Sequence, residues 1–519
     1  MHSALLIDEI LQLILDRCAD WDKQEYQYAA AQLARTCVAW KDPALDCIWK
    51  NLSDTKPLTR LLDGERRGVG HLLDHDSQHP FFVYASRIKQ ITLRNCPPVL
   101  ITETRPLLPN LKTVTLNRAG CFTSPSWLLS EHLQEMEIII GTLMNNSPAQ
   151  ERGANVALLL QQRRKSFPRA GLSKLVIRGW LCPELAQSII PLTSLRSLSL
   201  VSGHSVTAEL LQAITLFPHL EYLQIHTGGV SVDDLNYITP PTNSISCPRL
   251  QSLIITGQHP TIIAILECLQ PNTLEDLTIE VDTPTLSAPH WKPALDIIAT
   301  KAAKTLRTLE LRHDIDMDEI STYLPSPCRA DDVTFVMDPL RALSPLRELR
   351  SFTIDTSIPP ELTNRDIEDM AVWWPHLERL HLGTLPSLDA LPYPWKPRFT
   401  TAALTALARR APKLQTLTLP LDASLAEETT TPSATSEALP QVTQHNLHTL
   451  TIGHSSPTIL PSTFIQHLLK TFPSLQVVEH DSGKGANPLY TRGARAEIEG
   501  VAGEGKRNAG TEDGFADGR

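Results

Sequence analysis

Leu195-Arg196-Ser197-Leu198-Ser199-Leu200 decides how this chain is read. It spells an apolar residue, two others, an apolar residue, one other, and an apolar residue. The same phrase returns as Leu220-Leu223-Ile225, Leu377-Leu380-Leu382 and Leu414-Leu417-Leu419, and in less pure form from Ile88, Leu111, Leu133, Leu172, Leu250, Leu274, Leu306, Leu349, Leu447 and Leu475. The last two apolar residues sit two apart, so on a strand they point to one face. A strand this short cannot bury that face alone; it needs a neighbouring copy. The starters run from Ile88 to Leu475 at intervals of 22 to 43 residues, about 30 on average, which implies an irregular array with insertions.

A second signal agrees with the first. Proline stands two residues before the starter at Pro109, Pro218, Pro248, Pro375, Pro412 and Pro473. Proline ends helices and disfavours helical geometry in the residue before it. The segments ahead of it have helical spacing: Leu210, Leu211, Ile214 and Phe217 in one, Phe464, Ile465, Leu468, Leu469 and Phe472 in another. Helix, stop and strand therefore alternate. A doubly wound sheet would instead show near-continuous Val/Ile runs and Gly-rich strand-to-helix turns, which are absent. The pattern resembles a leucine-rich repeat. The fold class expected is an α/β solenoid with a parallel sheet on the concave side and helices on the convex side. The Asn or Cys that the repeat wants eight residues after the starter is met only by Cys96; Ala119 and Gly203 stand in other such slots.

Composition narrows the function classes. With 42% hydrophobic and 20% charged residues the 519-residue chain is globular, and its net charge of −10 argues against a nucleic-acid binder. Arg163-Arg164-Lys165 reads as a solvated helix end. Nine scattered cysteines, with no C-x-x-C, fit a reduced compartment. Neither a signal peptide nor a membrane span is written at the N-terminus or elsewhere, so cytoplasm or nucleus is expected. No phosphate-binding, nucleophile-elbow or zinc-protease motif occurs. Asp314-Ile315-Asp316-Met317-Asp318 starts like a calcium loop but has Glu319 where Gly is needed and Pro325 where Glu is needed. The expectation is no enzyme, no cofactor, no metal. The strand positions between the apolar pair (Thr115, Ser199, Gln224, Thr278, Glu310, His381, Thr418) are chemically mixed and name no ligand class.

Residues 1–62 do not repeat and read as three helices: Leu6, Ile10, Leu13 and Ile14 share a face, as do Ala29, Ala30, Leu33, Ala34 and Cys37, and the third is expected to open at Asp42-Pro43. This segment resembles an F-box, in Leu6-Ile7-Asp8-Glu9-Ile10-Leu11, Ala34-Arg35-Thr36-Cys37-Val38-Ala39-Trp40, Pro43-Ala44-Leu45 and Ile48-Trp49. Ile7 stands where that family has proline, and residues 16–28 are longer and more polar than its usual turn. Followed by repeats, the layout resembles the F-box/leucine-rich-repeat proteins of mushroom-forming fungi. The resemblance implies a substrate-receptor subunit of a Skp–cullin–F-box ubiquitin ligase. Leu6, Ile7, Glu9, Ile10, Leu11, Ile14, Leu33, Cys37, Trp40, Pro43, Leu45 and Trp49 would form the F-box core or the face that docks a Skp-type adaptor, with Leu6, Ile7, Leu11 and Leu15 turned outward. The adaptor leads to a cullin-RING ligase, and the repeats would hold an unknown protein substrate. The alternative is a repeat scaffold or GTPase-regulator-like binding protein whose N-terminal helices only cap the array. The remaining plan is a linker and cap at 63–87, the solenoid at 88–480 with a Thr/Ser/Glu-rich insert at 422–446, and a Gly-rich, charged tail at 481–519 expected to be disordered.

Overall fold

Proline two residues before a starter does more than stop a helix: it builds a turn. The N–H groups of Leu111, Leu250, Leu377, Leu414 and Leu475 donate to the carbonyls three residues back, on Leu108, Cys247, Trp374, Ala411 and Phe472, at 3.1–3.2 Å. Proline thus sits at the second position of each turn, where its fixed φ is already correct. The turn delivers the starter to the interior and launches the strand.

The computed structural model describes residues 7–18, 21–62, 79–94, 106–117, 126–141, 146–238, 247–282, 291–313, 335–356, 360–383, 397–422, 443–452, 462–481 and 486–491. The chain divides into two compact units, Met1–Leu250 and Gln251–Arg519. In the first, β1 (Asn51–Leu52), β2 (Gln90–Leu93), β3 (Thr113–Asn117), β4 (Glu135–Ile139), β5 (Lys174–Arg178), β6 (Ser197–Val201) and β7 (Tyr222–His226) pair in parallel and in chain order. In the second, β8 (Ser252–Gly257), β9 (Asp276–Val281), β10 (Thr308–His313), β11 (Ser351–Thr356), β12 (Arg379–Leu382), β13 (Thr416–Leu419), β14 (Thr449–Ile452) and β15 (Val477–Asp481) do the same, and β16 (Ala486–Thr491) closes antiparallel on β15. Parallel strands in order, each followed by a return segment, make this an α/β leucine-rich-repeat solenoid. All fourteen expected starters are at most 5% exposed, and the strand pairs behind them, such as Leu198 and Leu200, are buried beside helix residues Leu210, Leu211 and Ile214.

Register is set before the strands begin. In unit one the N–H after each starter donates to the carbonyl after the previous starter: Lys112 to Lys89, Gln134 to Lys112, Ser173 to Gln134, Arg196 to Ser173 and Glu221 to Arg196. Unit two repeats this from Glu275 to Gln476, and all these bonds measure 2.7–2.9 Å. Where the repeat before β14 lacks proline, a side chain supplies the turn instead. Gln444 is buried; its Oε1 accepts from Leu447 N (2.8 Å) and Asn446 N (3.1 Å), and its Nε2 donates to the Leu414 carbonyl (2.8 Å).

The structure corrects several expectations. The sheet starts at β1, inside the segment read as an independent helical domain. Lys89 N donates to Lys50 O at 3.0 Å, and the β1 register places Trp49 where other repeats have their starter. The third helix, α3 (Val38–Lys50), begins four residues before Asp42, so Pro43 lies within it. Arg163 is no solvated helix end: it is 3% exposed and donates to the carbonyls of Leu133 (2.5 Å) and Ala170 (2.9 Å), and burial lowers its pKa. Residues 443–446 are part of the repeat framework rather than the insert, and β16 occupies the start of the segment expected to be disordered. The linker 63–78, the insert core 423–442, Cys96, the acidic run at 314–318 and the tail 492–519 lie outside the described residues.

Truncating Leu198 to Ala should cost about 2–5 kcal/mol, because a fully buried side chain leaves a cavity. Replacing Gln444 by Ala should cost about 1–3 kcal/mol through the turn groups it leaves unpaired. Denaturant midpoints measure both, and a Gln444→Ala chain as stable as its parent would show that the turn closes without the side chain.

Candidate functional site

Two surfaces carry side chains that the core does not consume. The first is on the N-terminal helices. Here α1 (Asp8–Arg17) and α2 (Lys23–Leu33) each pack on α3. Asp22 caps α2 by accepting from Gln24 N at 2.9 Å. Leu11 and Leu15, expected to face outward, are 0% and 1% exposed; they are spaced by four and share the buried face. The outward apolar residues are others: Ile7, Leu13, Trp21, Tyr28 and Val38 are 47%, 63%, 53%, 69% and 87% exposed. Between α1 and α2 lies a cavity of about 330 Å³ lined by Leu15, Cys18, Trp21, Tyr26, Ala30 and Leu33, among others. Burial, reinforced by a hydrogen bond with Cys47, holds the Tyr26 hydroxyl well above its usual pKa.

The other marked residues divide between core and surface. Trp40 is buried and its indole N–H has no partner. Ile10, Ile14, Leu33, Cys37, Pro43, Leu45 and Trp49 are half-buried, Glu9 is exposed, and Leu6 lies outside the described residues. Cys37 precedes α3 as its N-cap residue without a side-chain cap bond. Sequence reasoning missed how α3 is fastened. The Trp49 and Tyr84 rings stack at 4.6 Å. Arg87 donates to Asp42 Oδ1 at 2.6 Å, and also to the Asp46 carboxylate and the Asp42 carbonyl. Burial would lower the Arg87 pKa, but its bonds to Asp46 and Asp42 outweigh that and raise it. Asp42 and Asp46, one helical turn apart, were the legible half of this clamp.

The second surface is the open face of each sheet, where the residues alternating with the buried pair stand. In unit one Ser199 Oγ donates to Gln224 Oε1 (2.7 Å), Tyr222 OH donates to the same oxygen (3.4 Å), and Arg178 meets Glu137 at 3.7 Å. Burial raises the Tyr222 pKa, partly offset by Arg178. In unit two Thr278 Oγ1 donates to Glu310 Oε2 (3.3 Å), and Arg312 Nε to Glu310 Oε1 (2.8 Å); that bond, against the pull of burial, raises the Arg312 pKa. These hydroxyl, amide and ion-pair networks suit recognition of a polar partner. Among the described residues no group of three or more His, Cys, Asp or Glu is placed to hold a metal ion, and no helix is long and apolar enough to cross a membrane.

No family model matches the chain, and no curated protein matches it. Among solved structures, the leucine-rich-repeat-containing protein LegL7 from Legionella pneumophila aligns with 63% of this chain and 98% of its own, at 11% identity and a TM-score of 0.34. A circular leucine-rich-repeat protein, CroV588, aligns with 76% of this chain and 46% of its own, at 12% identity and a TM-score of 0.32. The Rad7 and Elc1 complex in yeast aligns with 83% of this chain and 92% of its own, at 11% identity and a TM-score of 0.32. The repeat assignment rests on the strand register described above.

Core and surface roles on the helices are separable. Leu11→Ala or Leu15→Ala should destabilise by about 2–5 kcal/mol, whereas Leu13→Ser or Tyr28→Ser should stay within about 0.5 kcal/mol. Thermal melting distinguishes them; comparable losses at Leu13 and Leu11 would mean that the exposed face is packed.

Proposed function

We propose that this chain is the substrate-receptor subunit of a Skp–cullin–F-box type ubiquitin ligase. In this reading the N-terminal helices form the F-box and dock a Skp-type adaptor, and the open face of the repeats binds a target protein. The chain performs no catalysis; transfer chemistry belongs to the cullin-RING ligase reached through the adaptor, in cytoplasm or nucleus.

The observation that supports it is where apolar surface is left over. Of the nine exposed large hydrophobic side chains among the described residues, five fall between Ile7 and Val38. A helical cap with no further role would turn these residues inward, since each exposed one forgoes part of the roughly 1.5–3 kcal/mol that full burial is worth. A partner that covers them recovers it. The Arg87 clamp and the Trp49–Tyr84 stack favour the same reading. A receptor has to hold its target at a fixed place relative to the ligase, so a rigid joint between docking helices and repeats serves it.

The test is capture of a purified Skp-type adaptor by the full chain. Deleting residues 1–62 would also remove β1, so point variants are the cleaner probe. The paired change Leu13→Asp and Tyr28→Asp should abolish capture while leaving the melting temperature intact. A wild-type chain that captures no adaptor, or a variant that captures it equally well, would favour the alternative: a repeat scaffold capped by these helices.

A further inference from the structure

The charged rim of the second unit changes character along its length. The position just after each starter lines the edge where strands begin. There Arg307 pairs with Glu275 at 2.9 Å, and Arg350 with Glu378 at 3.6 Å, so opposite charges face each other on neighbouring repeats. Past Glu378 such charge pairs stop. The next two such positions are Gln415 and His448, set one beside the other by the bonds of Gln415 N to Glu378 O and His448 N to Gln415 O.

Around this break several exposed cations have no carboxylate partner. Lys413 Nζ lies 3.0 Å from His376 Nδ1. An ammonium can only donate, so the ring nitrogen is the acceptor in this contact. Arg379 opens β12 on the open face, and Arg409 and Arg410 end the helix Thr401–Arg410 just ahead of Lys413. Among the described residues none of Arg379, Arg409, Arg410 or Lys413 has a carboxylate within ion-pair distance. Arg409 and Arg410 have an ordinary explanation, since cations suit a helix C-terminus. Lys413 and Arg379 lie beyond any helix and have none. The turn that holds Lys413 is tied to the one after it: Asn446 Nδ2 donates to Pro412 O at 2.7 Å, and Gln444 reaches the Leu414 carbonyl. Glu378, next to Arg379 in the chain, is taken up by Arg350, so Arg379 and Lys413 keep no carboxylate of their own.

We propose that this rim, at the turns leading into β12, β13 and β14, binds an anionic protein segment, either a run of carboxylates or a phosphorylated stretch. The planar guanidinium of Arg379 suits bidentate contact with either group, and Lys413 supplies a point donor on the neighbouring repeat. The proposal adds a site to the reading of the repeats as a protein-binding surface. It does not depend on adaptor docking.

The experiment measures fluorescence anisotropy with the full chain and labelled peptides of about twelve residues: Glu-rich, phosphoserine-containing, and a Gln-substituted neutral control, with a single-stranded oligonucleotide as a further probe. One or both anionic peptides should bind at least about ten-fold more tightly than the neutral one, and binding should weaken between about 0.05 and 0.3 M salt. Which anionic peptide wins identifies the source of the charge. The paired change Lys413→Glu and Arg379→Glu should remove the preference, and Lys413→Gln with Arg379→Gln should weaken it without altering the melting curve. Lys174→Glu in the first unit should leave it unchanged. Equal affinity for the neutral peptide, indifference to both pairs of substitutions, or tighter binding of the oligonucleotide would each overturn the proposal. Adaptor capture is scored separately on the same variants, so failure of either reading is visible by itself.

Discussion

The bond from the N–H after one starter to the carbonyl after the previous starter is the constraint on which the rest of this structure depends. It fixes how far each repeat is shifted against its neighbour. Side chains alternate with a period of two, so a slip of one residue would send the buried pair to the open face and the polar row into the core. With the bond in place, Leu198 stacks against Leu175 and Leu223, and the intervening Ser199 against Val176 and Gln224. The irregular intervals then matter little. A repeat can carry a long return segment or a short one, because only its few residues around the starter need to match the next repeat. The variable return segments lie outside the ladder and do not disturb it.

This locality explains what could be read from residues alone. All fourteen starters were legible because strand and core are encoded within six consecutive positions. The features missed depend on partners far away in sequence. β1 is two residues long and too short to show a period; it exists because β2 offers its edge. Arg163 sits in a run of three basic residues that looks solvated, and nothing local says that the Leu133 and Ala170 carbonyls await it. The outward turn of Leu11 and Leu15 was misjudged because α1 carries apolar residues on two faces, and only the packing on α3 decides which is inside. At the N-terminus, three helices stand where three were read. The residues that remain available there, Leu13, Trp21, Tyr28 and Val38, fall outside the marked set, since exposure is a property of the assembled helices.

The absent Asn ladder has a comparable account. In regular repeats an Asn side chain bonds to backbone in the turn after the strand. Here Thr227, His313 and Thr356 stand at a buried position at or just past the end of the strand, each at most 6% exposed. Gln444, at the turn before the strand, satisfies backbone groups of its own turn and of the previous repeat. Buried backbone groups must be paired, and the side chain that does it can be chosen repeat by repeat. A pattern search for one residue type therefore underestimates how complete the framework is.

The same accounting separates surfaces that hold the array together from surfaces left for something else. Exposed ion pairs such as Arg196–Glu221 and Arg307–Glu275 are each worth only about 0–1 kcal/mol, so they do little for stability. Their value lies in neutralising neighbours along an edge where every repeat presents a charged or polar side chain at the same height. An edge of one sign would repel itself and attract anything of the opposite sign. Where the pairing of opposite charges continues, the rim is electrostatically quiet. Where it lapses, at Lys413 and Arg379, the residual field belongs to whatever approaches from solvent, because the framework there is already satisfied by Gln444 and Asn446 and needs no charge to hold it.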